Sequence, residues 1–371
     1  MTRLNFALTP ADTFFFRDGK PFARGEQSEA DGIFPPFPST AYGALRTAYI
    51  AEHSMREFKE GILKKTIGTT DSESVKDASF RIKGIFLADN SNTYFPLPRD
   101  LVQGKDDKEI YPLILSEQSD MESNSKTQRC LICNENMNVK YQENTFLNEE
   151  AMREYLLDKS IPTCCKTEEH FLKKEPKIGI RRSAATFTAE DGLLYRLDMM
   201  RLQDGYRLSI ETAGINFQNR RGILKLGGEN KPFAYEISES TFSWDGNECT
   251  NVLKEKLEEK RCNGKIRFKL YFATPTIWKD GWLSLERFVH GNYHLIAASV
   301  GKHQNVGGWD LGNRKPKPKR MFRAVPHGSV YYLEAKSDNI SAQDIINTFH
   351  CQNISDERSE EGFGLALIGI F

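Results

Sequence analysis

Hydrophobic positions recur along this chain with two different periods, and the changes of period mark out its elements. Leu4, Phe6 and Leu8 alternate with polar neighbours and predict a first strand with one buried face. Phe14, Phe15 and Phe16 follow as an apolar anchor ahead of the charged turn Arg17-Asp18-Gly19-Lys20, and residues 23–33 are polar enough for a surface loop. Over residues 41–58 the spacing becomes helical. Tyr42, Leu45 and Tyr49, with Ala41, Ala44 and Ala48, make a buried stripe. Prolines 35, 36 and 38 hold the approach extended. Ser39 or Thr40 is the expected N-cap and Gly61 the expected C-cap. Residues 80–87 return to alternation, with Arg81 and Lys83 on one face of a strand.

Residues 94–101 read as extended, with prolines that keep them from a central strand. From 103 to 129 the chain is rich in Ser, Asn, Asp and Lys, the composition of a disordered loop, and Asn148 caps a short amphipathic helix. Residues 103–175 therefore read as an insertion rather than core. Residues 193–202 and 206–212 predict two strands joined as a hairpin at Asp204-Gly205. A charged helix over 252–261, a half-buried strand over 266–272 and further strands over 294–300 and 330–334 come next. Ser341 and Asp344 form a capping box that opens a helix to about His350. Each half thus supplies elements in an order compatible with βαββαβ. The expected fold is α+β, with two ferredoxin-like (RRM-like) domains facing each other and carrying inserted loops. The expected domains are 1–212, with the insertion at about 103–175, and 213–371.

Composition narrows the function. Of 371 residues, 39% are hydrophobic and 27% charged, which suits a soluble globular protein. No apolar run approaches a membrane span and the N-terminus lacks a signal-peptide core, so a cytoplasmic protein with no membrane partner is expected. The 51 basic residues balance 51 acidic ones. A domain that binds nucleic acid unaided is usually strongly basic, so overall charge argues against independent binding and leaves room for a local groove. Seven cysteines do not form a secreted disulfide framework. Cys130 and Cys133 are a CxxC pair, but the adjacent Cys164 and Cys165 make a poor second pair for zinc, so reduced cysteines are expected, with no metal and no cofactor.

Three basic or glycine-rich clusters are candidates for a polyanion. Arg314, Lys315, Lys317, Lys319 and Arg320 (with Arg323 beyond them) are interleaved with prolines that keep the strip extended. Such a strip can track phosphates, and Trp309 just before it can stack on a base. A charge run alone is usually a solvated loop; the glycines and the tryptophan turn the reading towards RNA. Ser39, Gly43 and Arg46 share a helical stripe that can hold a phosphate, or else belong to an ordinary capped helix with a solvated arginine. Lys177, Arg181 and Arg182 form a further cluster beside Ser183 and Thr186, and Gly362 and Gly364 allow a backbone to approach closely. Catalysis finds little support: the chain has no P-loop, nucleophile-elbow or HExxH pattern. His303, in the glycine-rich loop, is the histidine to suspect in metal-independent RNA cleavage.

Several of these motifs occur together in one family. They are Phe15-Phe16-Arg17-Asp18, Pro35-Pro36-Phe37-Pro38-Ser39-Thr40 with Gly43 and Arg46, Gly179-Ile180 and Gly192-Leu193-Leu194-Tyr195. Leu226-Gly227-Gly228-Glu229, Gly308-Trp309-Asp310, Ala324-Val325-Pro326, Gly328-Ser329-Val330-Tyr331 and the final Gly-Phe-Gly-Leu-Ala complete the set. The chain resembles the third subunit of the Cmr complex, the type III-B CRISPR effector, within the RAMP superfamily. The resemblance implies two ferredoxin-like domains and a non-enzymatic subunit that binds the 5′ tag of the CRISPR RNA. It also implies that this subunit joins the large polymerase-like subunit to the backbone RAMP subunit. By motif it carries RNA contact to Arg17, Ser39, Arg46, the 177–182 cluster and the glycine-rich C-terminus; the basic strip after Trp309 comes from charge alone. A RAMP endoribonuclease that processes precursor CRISPR RNA is the rival, and an adaptor that touches no RNA is a third reading.

Overall fold

A computed structural model describes residues 3–17, 29–30, 32–69, 72–117, 127, 129–133, 137–157, 161–162, 165–240, 242–284, 286–310 and 317–371. The protein is a mixed α and β molecule whose main sheets are antiparallel. It clusters into two compact units: Met1–Ser91 with Glu168–Glu239 and Asn305–Phe322, and Asn92–Thr167 with Ser240–Gln304 and Arg323–Phe371. The chain passes repeatedly from one unit to the other, whereas the sequence suggests a single division at 212/213.

In the first unit, strand Arg3–Pro10 is central. It pairs with Arg207–Ala213 on one side and Pro232–Glu239 on the other; Arg81–Ala88 lies beyond the former and Arg221–Lys225 beyond the latter. Leu4, Phe6 and Leu8 are buried as their alternation requires. The predicted helical stripe is also present, and Tyr42 stacks on Phe80 with ring centroids 4.6 Å apart. The helix itself runs Pro38–Glu52, three residues earlier than predicted, and neither Ser39 nor Thr40 is its cap. Phe37 is the N-cap and, having no side-chain acceptor, makes no side-chain bond, while Pro38 takes the first helical position, where its missing N–H costs no intrahelical bond. Ser39 and Thr40 belong to the first turn. Ser54 then interrupts the expected continuation by capping a separate short helix, Met55–Lys59, accepting from Glu57 N at 3.1 Å.

Asp204 and Gly205 do form a turn, with Gly205 at φ +85°, but the flanking strands do not pair with each other. Ala189–Leu202 pairs with Leu172–Arg182 to make a long ribbon, while Arg207–Ala213 enters the main sheet. The turn therefore links two sheets instead of closing a hairpin. The next connection, residues 214–220, is a loop: the Glu52 carboxylate accepts from Gln218 N at 2.9 Å and Asn219 N at 2.8 Å, and Phe217 is buried against Phe6.

In the second unit, strand Lys265–Phe272 lies between Val330–Ala335 and Leu365–Gly369, with Tyr293–Ser299 beyond the former. Helices Asn247–Glu259 and Ala342–Phe349 cover the face that carries Phe268 and Leu270, through Leu253, Leu257, Ile345, Ile346 and Phe349. The Ser341 capping box is formed in both directions. The central strand was expected to be half-buried, yet Lys269 and Tyr271 on its other face are buried too. They are covered by a stretch that reads as insertion. Strand Thr145–Asn148 pairs with Thr93–Pro96, and helix Glu149–Leu157 buries Met152, Tyr155 and Leu156. Residues 145–157 are thus core. Asp100 accepts from Tyr155 at 2.5 Å and Tyr332 at 2.6 Å, and lies 3.8 Å from the Lys269 ammonium. Burial pushes the Lys269 ammonium down and Asp100 opposes that shift.

Candidate nucleic-acid interface

The sequence-predicted contacts of the first unit occupy several elements. On helix Pro38–Glu52, Gly43 is exposed and a Cβ added there would meet nothing within 4 Å. Among the described residues no packing requires this glycine. An exposed glycine inside a helix costs about 1 kcal/mol relative to alanine, so its presence fits close approach by something outside the chain. Arg46, one turn on, is half-buried. Its guanidinium donates to the Ile67 carbonyl at 2.9 Å and to the Thr69 carbonyl, and lies over the Phe58 ring at 5.4 Å. These contacts tie the 67–69 segment to the helix, so the solvated arginine of the simpler reading is not found. Arg17 is exposed and bridges to Gly32 through the backbone.

On the ribbon, Lys177 is exposed and makes two bonds to Glu229, at 2.8 and 2.9 Å. The hydrogen bonds to this carboxylate hold the Lys177 ammonium above its ordinary value. Glu229 is presented by the Gly227-Gly228 turn. Gly227 has φ +79°, its Cβ would fall 2.6 Å from the Phe15 carbonyl, and Gly228 N donates to that carbonyl at 2.8 Å. The turn that anchors the Phe14–Phe16 segment thus also places a counter-charge beside the basic cluster. Arg182 is exposed with no partner among the described residues; Arg181 lies on the same strand.

The basic strip is partly described. Trp309–Asp310 pairs with Lys317–Pro318 in a small two-stranded ribbon, with Trp309 opposite Pro318. Trp309 is 56% exposed, and Lys317, Lys319 and Arg320 are exposed. The Arg320 guanidinium lies 5.2 Å from the Phe322 ring, and neither lysine side chain has a partner among the described residues. Gly308, at φ +148°, accepts from Lys319 N at 2.9 Å and closes the base of the ribbon. Arg314 and Lys315 lie outside the described residues. An exposed indole beside unpaired cations can stack one base and hold neighbouring phosphates.

In the second unit, Gly362 and Gly364 have φ +105° and +79°. A Cβ at Gly364 would fall 2.5 Å from Ser355 N, and the Gly362 carbonyl accepts from Thr274 Oγ1 at 2.8 Å. The close approach that Gly364 permits is to the protein's own backbone. The same unit contains an open cavity of about 560 Å³ lined by residues 281–282, 298, 300–303 and 323–326. His303 stands exposed at this cavity, and no carboxylate is among its described lining residues. The sequence reading passed over Trp282, 42% exposed at the cavity, because nothing in its local spacing marks it.

Among the described residues no group of three His, Cys, Asp or Glu side chains converges to hold a metal; Cys130 and Cys133 are half-buried free thiols, and Cys164 lies outside the described residues. Among the described residues no helix is long and apolar enough to cross a membrane.

Comparison with known families matches residues 6–371 to the model described as CRISPR-associated protein (Cas_Cmr3). No curated protein matches the chain. Among solved structures, the chain is similar at 17% identity to a chain of the type III-B Cmr-beta complex bound to cognate target RNA, covering 89% of this chain and 86% of that one with a TM-score of 0.48. It is similar at 14% identity to a chain of the Csm3–Csm4 subcomplex of the type III-A CRISPR-Cas interference complex, covering 89% of this chain and 92% of that one with a TM-score of 0.37.

Proposed function

The chain belongs to the CRISPR-associated Cas_Cmr3 family, and from that premise we propose that it is a non-catalytic, cytoplasmic subunit of the type III-B effector. In this reading it binds the 5′ tag of the CRISPR RNA and joins the large polymerase-like subunit to the backbone RAMP subunit. The observation that carries the RNA part is the small ribbon that exposes Trp309 beside Lys317, Lys319 and Arg320. Backbone phosphates would lie along the cations and one base against the indole, the division of labour usual in single-stranded RNA recognition. Gly43 on its open helix face and Arg182 on the long ribbon supply further contacts of the same kind.

We read each unit as a ferredoxin-like variant. Support comes from the strand order: Arg3–Pro10 lies between Arg207–Ala213 and Pro232–Glu239, with Arg81–Ala88 beside Arg207–Ala213, and Lys265–Phe272 lies between Val330–Ala335 and Leu365–Gly369, with Tyr293–Ser299 beside Val330–Ala335. One crossover helix is replaced in each case: by the 214–220 loop in the first unit, and by the 273–292 segment in the second. Zero net charge supports a subunit whose remaining surface serves protein partners. Cleavage is the weaker reading, because no carboxylate among the lining residues accompanies His303 as the second acid–base group.

The test is binding and integrity of a labelled tag-bearing CRISPR RNA, measured with the protein alone and with the large subunit. Intact RNA, bound more tightly by the pair, is the expected result. Specific cleavage by the protein alone would replace this reading with the nuclease, and no binding in either form would leave the adaptor.

A further inference from the structure

The open cavity of the second unit combines features that the contacts above do not use. Its apolar lining comes from Ala298, Val300 and Ala324 to Pro326. Trp282, Lys302, His303 and Arg323 are its exposed members, and none of these side chains has a partner among the described residues. The cavity volume falls within the roughly 300–1,000 Å³ of sites that enclose small ligands. Lys302 and Arg323, with no carboxylate among the described lining residues, make its polar chemistry favour an anion.

The cavity walls are held by hydrogen bonds of their own backbone. Thr276 and Val325 exchange backbone hydrogen bonds of 2.9 and 2.8 Å, and the Trp282 carbonyl accepts from the buried Tyr331 hydroxyl at 2.6 Å. Gly301 leaves room for Arg99, since a Cβ there would fall 2.2 Å from the guanidinium. Arg99 is held in turn by both Glu143 oxygens, at 3.0 and 2.9 Å, and by the Tyr141 ring at 4.3 Å. A preformed wall, one exposed indole and unpaired cations match a planar aromatic group that carries a negative charge. A bare phosphate would make no use of the indole.

We propose that this cavity receives one nucleotide of single-stranded RNA, its base against Trp282 and its phosphate against Arg323 and Lys302. The proposal rests on the reading of the chain as an RNA-binding subunit and adds a second base-stacking position, separate in sequence from Trp309. Free mononucleotides share the chemistry, so they form a separate arm of the test.

The experiment uses the full-length chain assembled with the large subunit. Affinity for a fluorescent tag-bearing RNA is measured for wild type, W282A, W282F, R323E and K317Q/K319Q/R320Q, with thermal melts to confirm folding and AMP titrated separately. Trp282 and Arg323 are exposed, so their variants are expected to fold. Loss of one base stack predicts an affinity about 5- to 160-fold lower for W282A, with W282F recovering most of it, and R323E also weakened. Photocrosslinking from a 4-thiouridine walked along the tag should reach residues 281–282 or 302–303 from one position only. Wild-type affinity in W282A and R323E, with K317Q/K319Q/R320Q impaired, would overturn this proposal and leave the RNA-binding reading standing. No RNA binding by wild type would sink both. AMP binding that depends on Trp282, with RNA affinity unchanged in W282A, would assign the cavity to a free nucleotide and overturn the RNA proposal.

Discussion

Both carboxylate oxygens of Glu229 contact the Lys177 ammonium, at 2.8 and 2.9 Å, so the basic cluster of the long ribbon carries its own counter-charge. The pair is exposed and contributes little to stability, since surface ion pairs are worth about 0–1 kcal/mol. Its effect on a polyanion is larger. A phosphate that reaches Lys177 must displace Glu229 or share the lysine with it.

E229Q should therefore strengthen RNA binding about 2- to 5-fold at low salt, with the gain fading as ionic strength rises. Titrations of labelled RNA at two salt concentrations check this. An unchanged affinity at both would mean that Lys177 serves only to hold the 227–229 turn.

Gly43 has open space where a side chain would be. G43A is predicted to stabilise the free protein by about 1 kcal/mol in urea unfolding, because alanine is the better helix residue and meets no obstacle. The same variant should weaken assembly with RNA and partner subunits if that face is approached closely. Destabilisation of the free protein would contradict the open face.

Asp100 is the acceptor for Tyr155 and Tyr332 and the neighbour of Lys269, all buried. D100A leaves a buried ammonium and two hydroxyls without their acceptor, and should cost about 3–5 kcal/mol in equilibrium unfolding. D100A/K269M should recover part of that loss. If the double variant is no more stable than D100A, the charge pairing is not what makes Asp100 important.

Alternation and helical spacing made the central strands, the Tyr42 stripe and the Ser341 box legible, because each is decided by neighbours close in sequence. The boundary at Pro38 was legible only by weighing proline's missing N–H against a hydroxyl cap. The pairing of Ala189–Leu202 was not legible, because a turn at Gly205 fits two strands in one sheet as well as strands in two. Residues 145–157 looked peripheral on account of the polar chain around them, yet Met152, Tyr155 and Leu156 are buried and the Tyr155 ring lies 3.8 Å from the ammonium of Lys269, more than a hundred residues away. Among the candidate contacts, charge and aromatic content pointed to Trp309 and the lysines after it. The Glu229 counter-charge and Trp282 at its cavity depend on tertiary contacts that no local pattern reports.

His350 is buried and uses both ring nitrogens as a neutral imidazole: Nε2–H donates to the Trp244 carbonyl at 2.8 Å, and Nδ1 accepts from Ile368 N at 3.2 Å. Burial pushes it below its usual value of 6.5. Between that value and the lowered one, the unfolded chain binds a proton that the folded protein does not. Stability present above pH 6.5 should therefore fall on acidification, by up to about 1.4 kcal/mol per pH unit. His327, driven to about 3 by burial and by the neighbouring Arg99 charge, adds a slope of the same sign. H350Q should reduce the slope without abolishing it, as urea melts at pH 7.5, 6.5 and 5.5 would read. An identical slope in H350Q would contradict the assignment.

The most direct measurement is the salt dependence of tag-bearing RNA affinity for the full chain and for K317Q/K319Q/R320Q. Each phosphate contact on single-stranded RNA contributes about 0.7 to the slope of log affinity against log salt. If each cation holds one phosphate, the variant should bind more weakly at low salt with a slope shallower by about 2. Equal slopes and equal affinities would show that the ribbon bearing Trp309 does not touch RNA, and would contradict the central claim.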